Sequence, residues 1–358
     1  MSKISQDKLK RSLPFDQYSR QLIVSRLIDN SVRLDNPNQK LQIIDLGGHK
    51  GKTHAFQPND NVTVLDVFNE SYEGYIKGDA TNTDFSDNSF DIAVSFDVFE
   101  HIPRDKRKAF LSEALRISKF GVFLAMPIDF QGKVAGAEVL LNDFYKISSK
   151  KEHPWLKEHI EYRIPNDQKL KKLVMNQGAE MVSIATNQVG DWQLMQMLIF
   201  AAADNADITN DVTKANIWYN EHIDKLDSNV DFGYRKVYFV SKNKQHIKKV
   251  ENAINNFTRK PTGDDYVTVH RDAFDVFART LASISRKYSR MNKEHLKVAS
   301  MENELESLRN NMNMASSHIS SLTEELDKVY SSVSWKVSKP LRHAGKVRRK
   351  LNRSTGDE

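Results

Sequence analysis

Short apolar segments recur along the chain up to residue 242, and segments with one apolar face separate them. The apolar segments have the length and content of β-strands, and they lie near residues 41–45, 62–66, 75–79, 90–96, 121–127, 181–185 and 235–240. Residues 15–34 and 104–118 instead carry apolar side chains at helical spacing. Strands that alternate with helices favour a parallel sheet with helices on both faces. The pattern therefore predicts an α/β fold.

The pattern changes after residue 242. Residues 243–270 are rich in Lys and Asn and contain Pro261-Thr262-Gly263, which predicts a linker. We predict a helical coiled coil over residues 271–333, with self-association through its apolar seam, because a lone helix would leave the seam in water. Packing of the seam against the preceding domain is the alternative. The seam follows alternating three- and four-residue spacing and consists of Val298, Met301, Leu305, Leu308, Met312, Ala315, Ile319, Leu322, Leu326, Val329 and Val333.

The chain has 358 residues, no cysteine and a formal net charge of +6. Disulfides and thiolate metal sites are therefore excluded, and a reducing cytoplasm fits this composition. Eight Lys and Arg lie between residues 335 and 353 without an acidic residue, and subtracting them from +6 leaves −2 for the remainder. The positive charge thus belongs to a basic amphipathic tail, residues 334–358, and does not indicate a nucleic-acid-binding domain. We expect this tail to contact anionic membrane headgroups; a solvated tail or an acidic partner is the alternative.

A glycine-rich turn follows the first predicted strand. The strand ends at Asp45, and Gly47, Gly48 and Gly51 come directly after it. Glycine suits such a turn because it can adopt positive φ and lets a ligand approach the backbone. The second strand ends in Asp66, where a carboxylate can accept hydrogen bonds from both hydroxyl groups of a ribose. The chain is therefore expected to bind a cofactor that contains adenosine.

Three features favour S-adenosylmethionine over a nicotinamide cofactor. Asp45 lies two residues before the first glycine, where nicotinamide sites usually have an apolar residue, and it can face the cationic amino acid end of the ligand. Asp79 and Ala80 follow the third strand and place a further acceptor where an adenine amino group would lie. Asp97 and His101 follow the fourth strand. An ordinary α/β domain with acidic strand ends is the alternative, but its carboxylates would be solvated without a ligand to bind.

These segments together resemble a class I S-adenosylmethionine-dependent methyltransferase of the type 11 kind. The resemblance rests on the order and spacing of IIDLGGHKG, VTVLD, GDA, FDIAVSFDVFEHI and GVFLAMP. It covers about residues 15–242 and implies a Rossmann-like seven-stranded sheet whose last strand is antiparallel. It implies a methyltransferase domain at residues 1–242, with cofactor contacts from Val67 and Phe96 besides the residues named above.

A long insertion, residues 128–165, separates the fifth and sixth strands. Loops beyond the carboxyl ends of parallel strands cover the ligand crevice, so we predict that this insertion forms an acceptor lid. It contains His153, Trp155, His159 and Tyr162, and it resembles the H-x-W-L-x-E-H-x-x-Y-x-x-P segment of methyltransferases found with bacterial surface-polysaccharide enzymes. His153, Trp155 and Tyr162 are the candidates for acceptor binding. A surface helix in which Trp155 only packs is the alternative.

Methyl transfer to a hydroxyl group benefits from a base that removes the hydroxyl proton. His101 and Asp97, just after the fourth strand, and His159 in the lid are the catalytic candidates. A hydrogen-bonded histidine with a structural role is the alternative for each histidine. No metal site is predicted, because two histidines without an adjacent acidic cluster are a weak set of ligands.

The sequence therefore predicts a cytoplasmic enzyme, peripheral at the inner face of the cell membrane, that moves a methyl group from S-adenosylmethionine to a carbohydrate. The acceptor would be a surface polysaccharide or its lipid- or nucleotide-linked precursor. The ending SWKVSKPLR supports this, because it resembles the ends of bacterial polysaccharide-assembly enzymes. The alternatives are another small acceptor, such as a quinone, fatty acid or aromatic compound, and a catalytically inactive coiled-coil membrane scaffold.

Overall fold

The structure, a computed structural model, divides into two compact units, Met1–Lys287 and Tyr288–Glu358. The residues that it describes are 12–49, 52–203, 206–226, 233–257, 272, 275–282, 285 and 298–330. The predicted tail at 334–358 lies outside the described residues, as do Gly51 and the part of the predicted linker at 258–270. For these segments the sequence-based predictions stay predictions.

The first unit is built on one seven-stranded sheet with the order β3-β2-β1-β4-β5-β7-β6. Its strands are β1 Gln42–Leu46, β2 Asn61–Asp66, β3 Tyr75–Lys77, β4 Ile92–Phe96, β5 Val122–Pro127, β6 Glu180–Gln188 and β7 Gly233–Ser241. Neighbouring strands are parallel except β7, which is antiparallel to both β5 and β6. All seven predicted strands are confirmed. So is the antiparallel last strand that the family resemblance implies.

The chain reverses its direction of winding between β1 and β4. The strand β1 pairs with β2 on one side and with β4 on the other, so that Asp45 lies opposite both Val64 and Val94. In an open α/β sheet, ligands bind at the carboxyl ends of the strands where the winding reverses. The fold therefore puts the glycine turn after β1 at the place where this architecture binds ligands.

Helices cover both faces of the sheet. In β1, Ile44 and Leu46 pack in one apolar cluster with Phe110, whereas Ile43 packs on the opposite face with Val24. This alternation is the two-residue period of a strand. The helices of this unit are α1 Phe15–Leu27, α2 Thr53–Phe56, α3 Arg107–Ile117, α4 Lys133–Ser149, α5 Pro154–Tyr162, α6 Asp167–Met175, α7 Val189–Ala203, α8 Ala206–Leu226 and α9 Lys244–Phe257.

A third apolar cluster forms a helical cap, made of α4, α5, α7, α8 and the start of α1. The predicted lid supplies α4 and α5, but the sequence did not reveal α7 and α8, which lie between β6 and β7. Helix α7 packs against both α4 and α8. Apolar side chains therefore lie on nearly all sides of α7. Its sequence lacks the alternation of apolar and polar positions that identifies a surface helix.

Residues 244–257 correct the predicted linker at 243–270. They form α9, which buries Ile247, Val250, Ala253 and Ile254 against the sheet. Three of these side chains follow helical spacing, but the surrounding Lys and Asn conceal the pattern. The first compact unit therefore extends beyond the predicted boundary at residue 242.

The second unit contains a single long helix among its described residues, α10, at Val298–Tyr330. The seam residues Leu308, Met312, Ile319 and Leu322 are between 49% and 71% exposed. A helix is therefore confirmed where a coiled coil is predicted, while the coiled coil itself stays a prediction. Among the described helices, none combines the length and apolar content that crossing a membrane requires.

Candidate active site

The glycine turn after β1 is closely packed at both of its described glycines. Gly47 has φ +82°, and a Cβ on it would lie 2.3 Å from Cγ2 of Val98. The Gly47 N–H donates to the carbonyl oxygen of Leu65 at 2.7 Å, which ties the turn to β2. A Cβ on Gly48 would lie 2.3 Å from the carboxyl carbon of Asp45. Glycine is therefore required at both positions, and the turn passes directly over the Asp45 side chain.

Asp45 is buried beneath this turn. The Thr53 hydroxyl donates to its Oδ2 at 2.5 Å, whereas its Oδ1 has no hydrogen-bond partner among the described residues. Burial raises the pKa of Asp45 to about 7, and the nearby Asp66 carboxylate contributes in the same direction. An unpartnered buried oxygen is costly. The arrangement fits a ligand that brings a positive group to Asp45, as the amino acid end of S-adenosylmethionine would.

Asp66 ends β2 and links two loops. Its Oδ2 accepts a hydrogen bond from the His49 N–H at 3.1 Å, and its Oδ1 accepts one from the Phe68 N–H at 3.3 Å. Val67 and Phe68, which follow Asp66, are both 60% exposed. The structure thus places a nearly buried carboxylate beside exposed apolar side chains, as a ribose with an attached base would require.

The other predicted cofactor residues lie along the same edge of the sheet. The Gly78 N–H donates to the carbonyl oxygen of Asp66 at 2.9 Å, which brings the end of β3 beside the end of β2. Asp79 is exposed, and its Oδ1 accepts from the N–H and the hydroxyl of Thr81, which lower its pKa. Ala80 packs at the rim of the core, and Phe96 is buried. Phe96 therefore contributes to packing more than to an open ligand surface.

Asp97 forms a partly buried ion triad with Arg20 of α1 and Arg235 of β7. The Arg235 guanidinium donates to Oδ1 at 2.7 Å and to Oδ2 at 2.5 Å, and Arg20 donates to Oδ2. Burial alone would raise the pKa of Asp97, but the two arginines outweigh it and hold the pKa at about 2. A carboxylate of this kind does not take up a proton near neutral pH. The geometry therefore assigns Asp97 a positioning role, not the predicted role of a base.

The two predicted catalytic histidines do meet. His101 lies in a 3₁₀ turn after β4, His159 lies on α5, and their Nε2 atoms are 3.2 Å apart. Glu100 is fully buried beside them, with one carboxylate oxygen 4.0 Å from Nε2 of His159. We call Glu100, His101 and His159 the histidine cluster. The prediction thus located both histidines but missed Glu100, although Glu100 directly precedes His101 in the sequence.

Two further carboxylates support the histidine cluster. Nδ1 of His159 lies 2.8 Å from Oε1 of Glu138, which also accepts from the Tyr234 hydroxyl at 2.7 Å. Nδ1 of His101 lies 2.7 Å from Oε2 of Glu158. Glu138 was missed from the sequence, although a single acidic residue between Val134 and Leu141 on an apolar helix face is a recognisable signal.

The cluster also shows shifted pKa values. Burial raises the pKa of Glu100 to about 8, with a further contribution from Asp97. Burial and the neighbouring His159 lower the pKa of His101. For His159, burial acts in the lowering direction, but Glu138, Glu100 and Asp97 outweigh it and raise the pKa. Groups of this kind concentrate at functional sites.

A cavity of about 350 Å³ joins these groups. Its wall includes Asp97, the whole histidine cluster and Trp155, so that four predicted site residues line one space. Asp97 in this wall directly precedes Val98, the residue that underlies Gly47. A larger cavity of about 700 Å³ lies on the other side of His159.

His153 corrects the prediction for acceptor binding. Its ring stacks on Phe200 at 4.7 Å and meets Tyr145 edge-on at 4.8 Å. Burial lowers its pKa to about 4. The His153 ring is therefore part of the packing of the helical cap. Tyr162 contributes its backbone carbonyl oxygen, which accepts from Nε of Arg104 at 2.9 Å.

The middle of the sheet matches a known kind of domain. Residues 52–126 match a family model described as a methyltransferase domain. The match runs from α2 to β5 and includes Asp66, Asp79 and the end of β4. The order of the sheet and the buried carboxylate beneath the glycine turn agree with it. The chain is an S-adenosylmethionine-dependent methyltransferase.

No curated protein sequence matches the methyltransferase. Among solved structures it is similar to the YcgJ protein of Bacillus subtilis, with 14% identity over 57% of this chain and 93% of that chain and a TM-score of 0.34. It is similar to phosphoethanolamine N-methyltransferase 2 of Haemonchus contortus, with 17% identity over 58% of this chain and 50% of that chain and a TM-score of 0.36. It is also similar to 1,6-didemethyltoxoflavin-N1-methyltransferase of Burkholderia thailandensis, with 12% identity over 45% of this chain and 68% of that chain and a TM-score of 0.31. These likenesses say nothing about the acceptor of this methyltransferase.

Replacing Asp66 tests the predicted ribose contact. We expect Asp66→Asn to weaken the binding of S-adenosylhomocysteine by about tenfold or more, because hydrogen bonds to a charged group contribute about 1.5–3 kcal/mol. Isothermal titration calorimetry measures the change. Asp84→Asn is the control, since Asp84 is an exposed acid in the same matched segment. Equal affinity in the two variants would show that Asp66 does not contact the ligand.

The ionisation of Asp45 gives a second prediction. With a pKa of about 7 in the free protein, Asp45 is largely protonated near pH 6, while a bound ammonium group would favour the carboxylate. Asp45 should therefore release a proton when S-adenosylhomocysteine binds at about pH 6. The affinity for S-adenosylhomocysteine should rise toward about pH 8. Calorimetry in buffers with different ionisation enthalpies measures this proton. Asp45→Asn should lack the release, and an unchanged release in this variant would assign the proton to another group.

Proposed function

We propose that the methyltransferase transfers the methyl group to a hydroxyl group of a carbohydrate, within the cavity that Asp97 and the histidine cluster line. The proposed acceptor is a surface polysaccharide or its lipid- or nucleotide-linked precursor. The observation that carries the proposal is the wall of this cavity, which combines aromatic and charged side chains with the histidine cluster.

The composition of the cavity wall supports a polar acceptor over an apolar one. Trp155 supplies an aromatic ring, and Gln17, Gln196 and Arg20 supply hydrogen-bonding groups. A sugar ring presents C–H faces and hydroxyl groups, which such a mixture can contact together. A quinone or fatty acid would offer few hydrogen bonds to the polar groups of this wall while removing water from them, which is costly.

The larger cavity supports a precursor that carries phosphate groups. Arg104, Arg107, Arg163 and Lys169 line it, against Asp129 and Glu138 as its acidic residues. Arginine and lysine at such a surface favour phosphate oxygens. Because His159 borders both cavities, a sugar in the smaller one and its phosphate linkage in the larger one would be neighbours.

The chemistry divides between the two halves of the site. S-adenosylmethionine supplies the methyl group. The acceptor oxygen gains a bond to the methyl carbon while the bond from this carbon to the sulfonium sulfur breaks, which leaves S-adenosylhomocysteine. The acceptor oxygen also loses its proton, and the ion-paired Asp97 does not take up this proton at neutral pH. The histidine cluster lines the same cavity and is the group that assists proton removal. The cap helices exclude water and orient the acceptor.

Transfer of labelled methyl groups tests the acceptor class. The full-length protein is incubated with methyl-labelled S-adenosylmethionine and with nucleotide sugars, a short-chain quinone or a fatty acid. We expect label on a nucleotide sugar, and Trp155→Ala should raise its KM about tenfold, since losing a packed aromatic surface costs about 1.5 kcal/mol or more. Trp218→Ala is the control, because Trp218 is a half-buried tryptophan of the same cap that stacks on His222. Label only on the quinone or fatty acid would refute the carbohydrate proposal. If no acceptor is labelled and S-adenosylmethionine does not bind, the result would favour the alternative of a catalytically inactive coiled-coil scaffold.

We also propose that the methyltransferase self-associates through α10. The exposed seam on this helix supports the proposal, since its apolar side chains lie at coiled-coil spacing. The double variant Leu308→Asn with Ile319→Asn should dissociate the oligomer, because polar side chains in a seam weaken its packing. Multi-angle light scattering of the full chain measures the mass. Glu306→Gln with Glu324→Gln, on exposed positions of the same helix, is the control, and an oligomer that survives the seam variant contradicts the proposal.

A further inference from the structure

Three potential metal ligands converge in the histidine cluster. One ligand atom from each of Glu100, His101 and His159 lies within 4.8 Å of the other two. They come from two segments far apart in the sequence, the turn after β4 and the cap helix α5. The sequence predicts no metal site, and the adjacent acid that this prediction missed is Glu100.

The outer nitrogen of each histidine already has a partner. Glu158 lies 2.7 Å from Nδ1 of His101, and Glu138 lies 2.8 Å from Nδ1 of His159. A carboxylate at this distance holds a proton on Nδ1, so that the lone pair of each neutral ring is on Nε2. The two Nε2 atoms face each other at 3.2 Å. Two lone pairs at this separation repel unless a cation or a shared proton lies between them.

Glu100 points to a cation in the same place. It is fully buried, and neither of its carboxylate oxygens has a hydrogen-bond partner among the described residues. The nearby arginines do not supply one, because Arg20 and Arg235 bind Asp97 and Arg107 donates to the backbone carbonyl of Glu100. A buried carboxylate without a partner is strongly disfavoured. A metal ion between Glu100 and the two Nε2 atoms would satisfy all three groups.

The distances agree with a small divalent cation. Zinc binds histidine nitrogen at about 2.0–2.1 Å in tetrahedral geometry, which places two ligand nitrogens about 3.3 Å apart. The Nε2 atoms are already at 3.2 Å. The Glu100 oxygen lies 4.0 Å from Nε2 of His159, so this pair needs to shorten by less than about 1 Å to reach the separation of tetrahedral zinc ligands.

We propose that Glu100, His101 and His159 bind one divalent transition-metal ion of the zinc type. Glu138 and Glu158 orient the two imidazole rings from behind. All three ligands line the smaller cavity, so that a fourth coordination position faces the space where the acceptor is proposed to lie. A hydroxyl group bound there would lose its proton more readily. Metal binding itself does not depend on which acceptor the enzyme uses, whereas this catalytic consequence rests on the proposed function.

Direct metal titration tests the site without an acceptor. The full-length protein is stripped with a chelator and titrated with zinc chloride by calorimetry, and with cobalt chloride by visible absorption. We expect one ion per chain with a dissociation constant below about 1 μM and the absorption of a tetrahedral cobalt site. Glu100→Gln and His159→Asn should each weaken binding about 100-fold or more, and Glu138→Gln about 10-fold, as supporting carboxylates do.

The controls separate this site from adventitious binding and from misfolding. His222→Asn removes a histidine outside the cluster and should leave zinc affinity unchanged. Retained binding of S-adenosylhomocysteine shows that each variant is folded, and Glu100→Gln keeps the size of the side chain. Zinc affinity that is equal in the parent, Glu100→Gln and His159→Asn, or the absence of a one-to-one site, would overturn the proposal. Because no acceptor is present, either result leaves the carbohydrate proposal to its own test.

Discussion

The active site depends on one partly buried ion triad, formed by Asp97, Arg20 and Arg235. Its members come from the end of β4, from α1 and from β7, which are far apart in the sequence. Arg235 is buried, and breaking the pairing of a buried charge is destabilising, so the triad holds the three segments in one arrangement. Val98, the next residue, underlies the glycine turn, and Glu100 and His101 follow it. The cofactor end and the acceptor end of the site are therefore fixed by the same contact.

The strand-end carboxylates differ because their surroundings differ. Asp97 has two arginines and stays ionised, whereas Asp45 and Glu100 are buried with unpartnered oxygens and have raised pKa values. Environments that push the pKa values of neighbouring acids apart mark different chemical roles. Here Asp97, whose carboxylate oxygens both accept hydrogen bonds from arginine, positions the backbone. The two unsatisfied acids lie where a positive group would stabilise them, one beneath the glycine turn and one in the histidine cluster.

Local patterns in the sequence were sufficient for the sheet and for the cofactor end. Apolar runs, glycines and the acids Asp45 and Asp66 are recognisable within a few consecutive residues. The structure places the strands, the glycine turn and these two acids at the predicted positions. The partners of Asp97 could not be found in this way, because Arg20 and Arg235 meet it only through the tertiary fold. Helix α7 was missed for a related reason: it is buried between other helices and lacks an amphipathic stripe. His153 was assigned to the acceptor because a ring buried against Phe200 and one facing a ligand look alike in sequence.

The division between sheet and cap also explains why the class of reaction is better defined than the acceptor. The family match ends at residue 126, and the insertion that forms α4 and α5 begins at 128. Cofactor recognition uses backbone turns and strand ends, which the fold itself imposes on any chain that adopts it. In the proposed function, the acceptor contacts side chains of the cap, such as Trp155 and His159, which line the smaller cavity and which the fold does not impose. On this proposal, the choice of acceptor is encoded in helices that the family match, which ends at residue 126, does not cover.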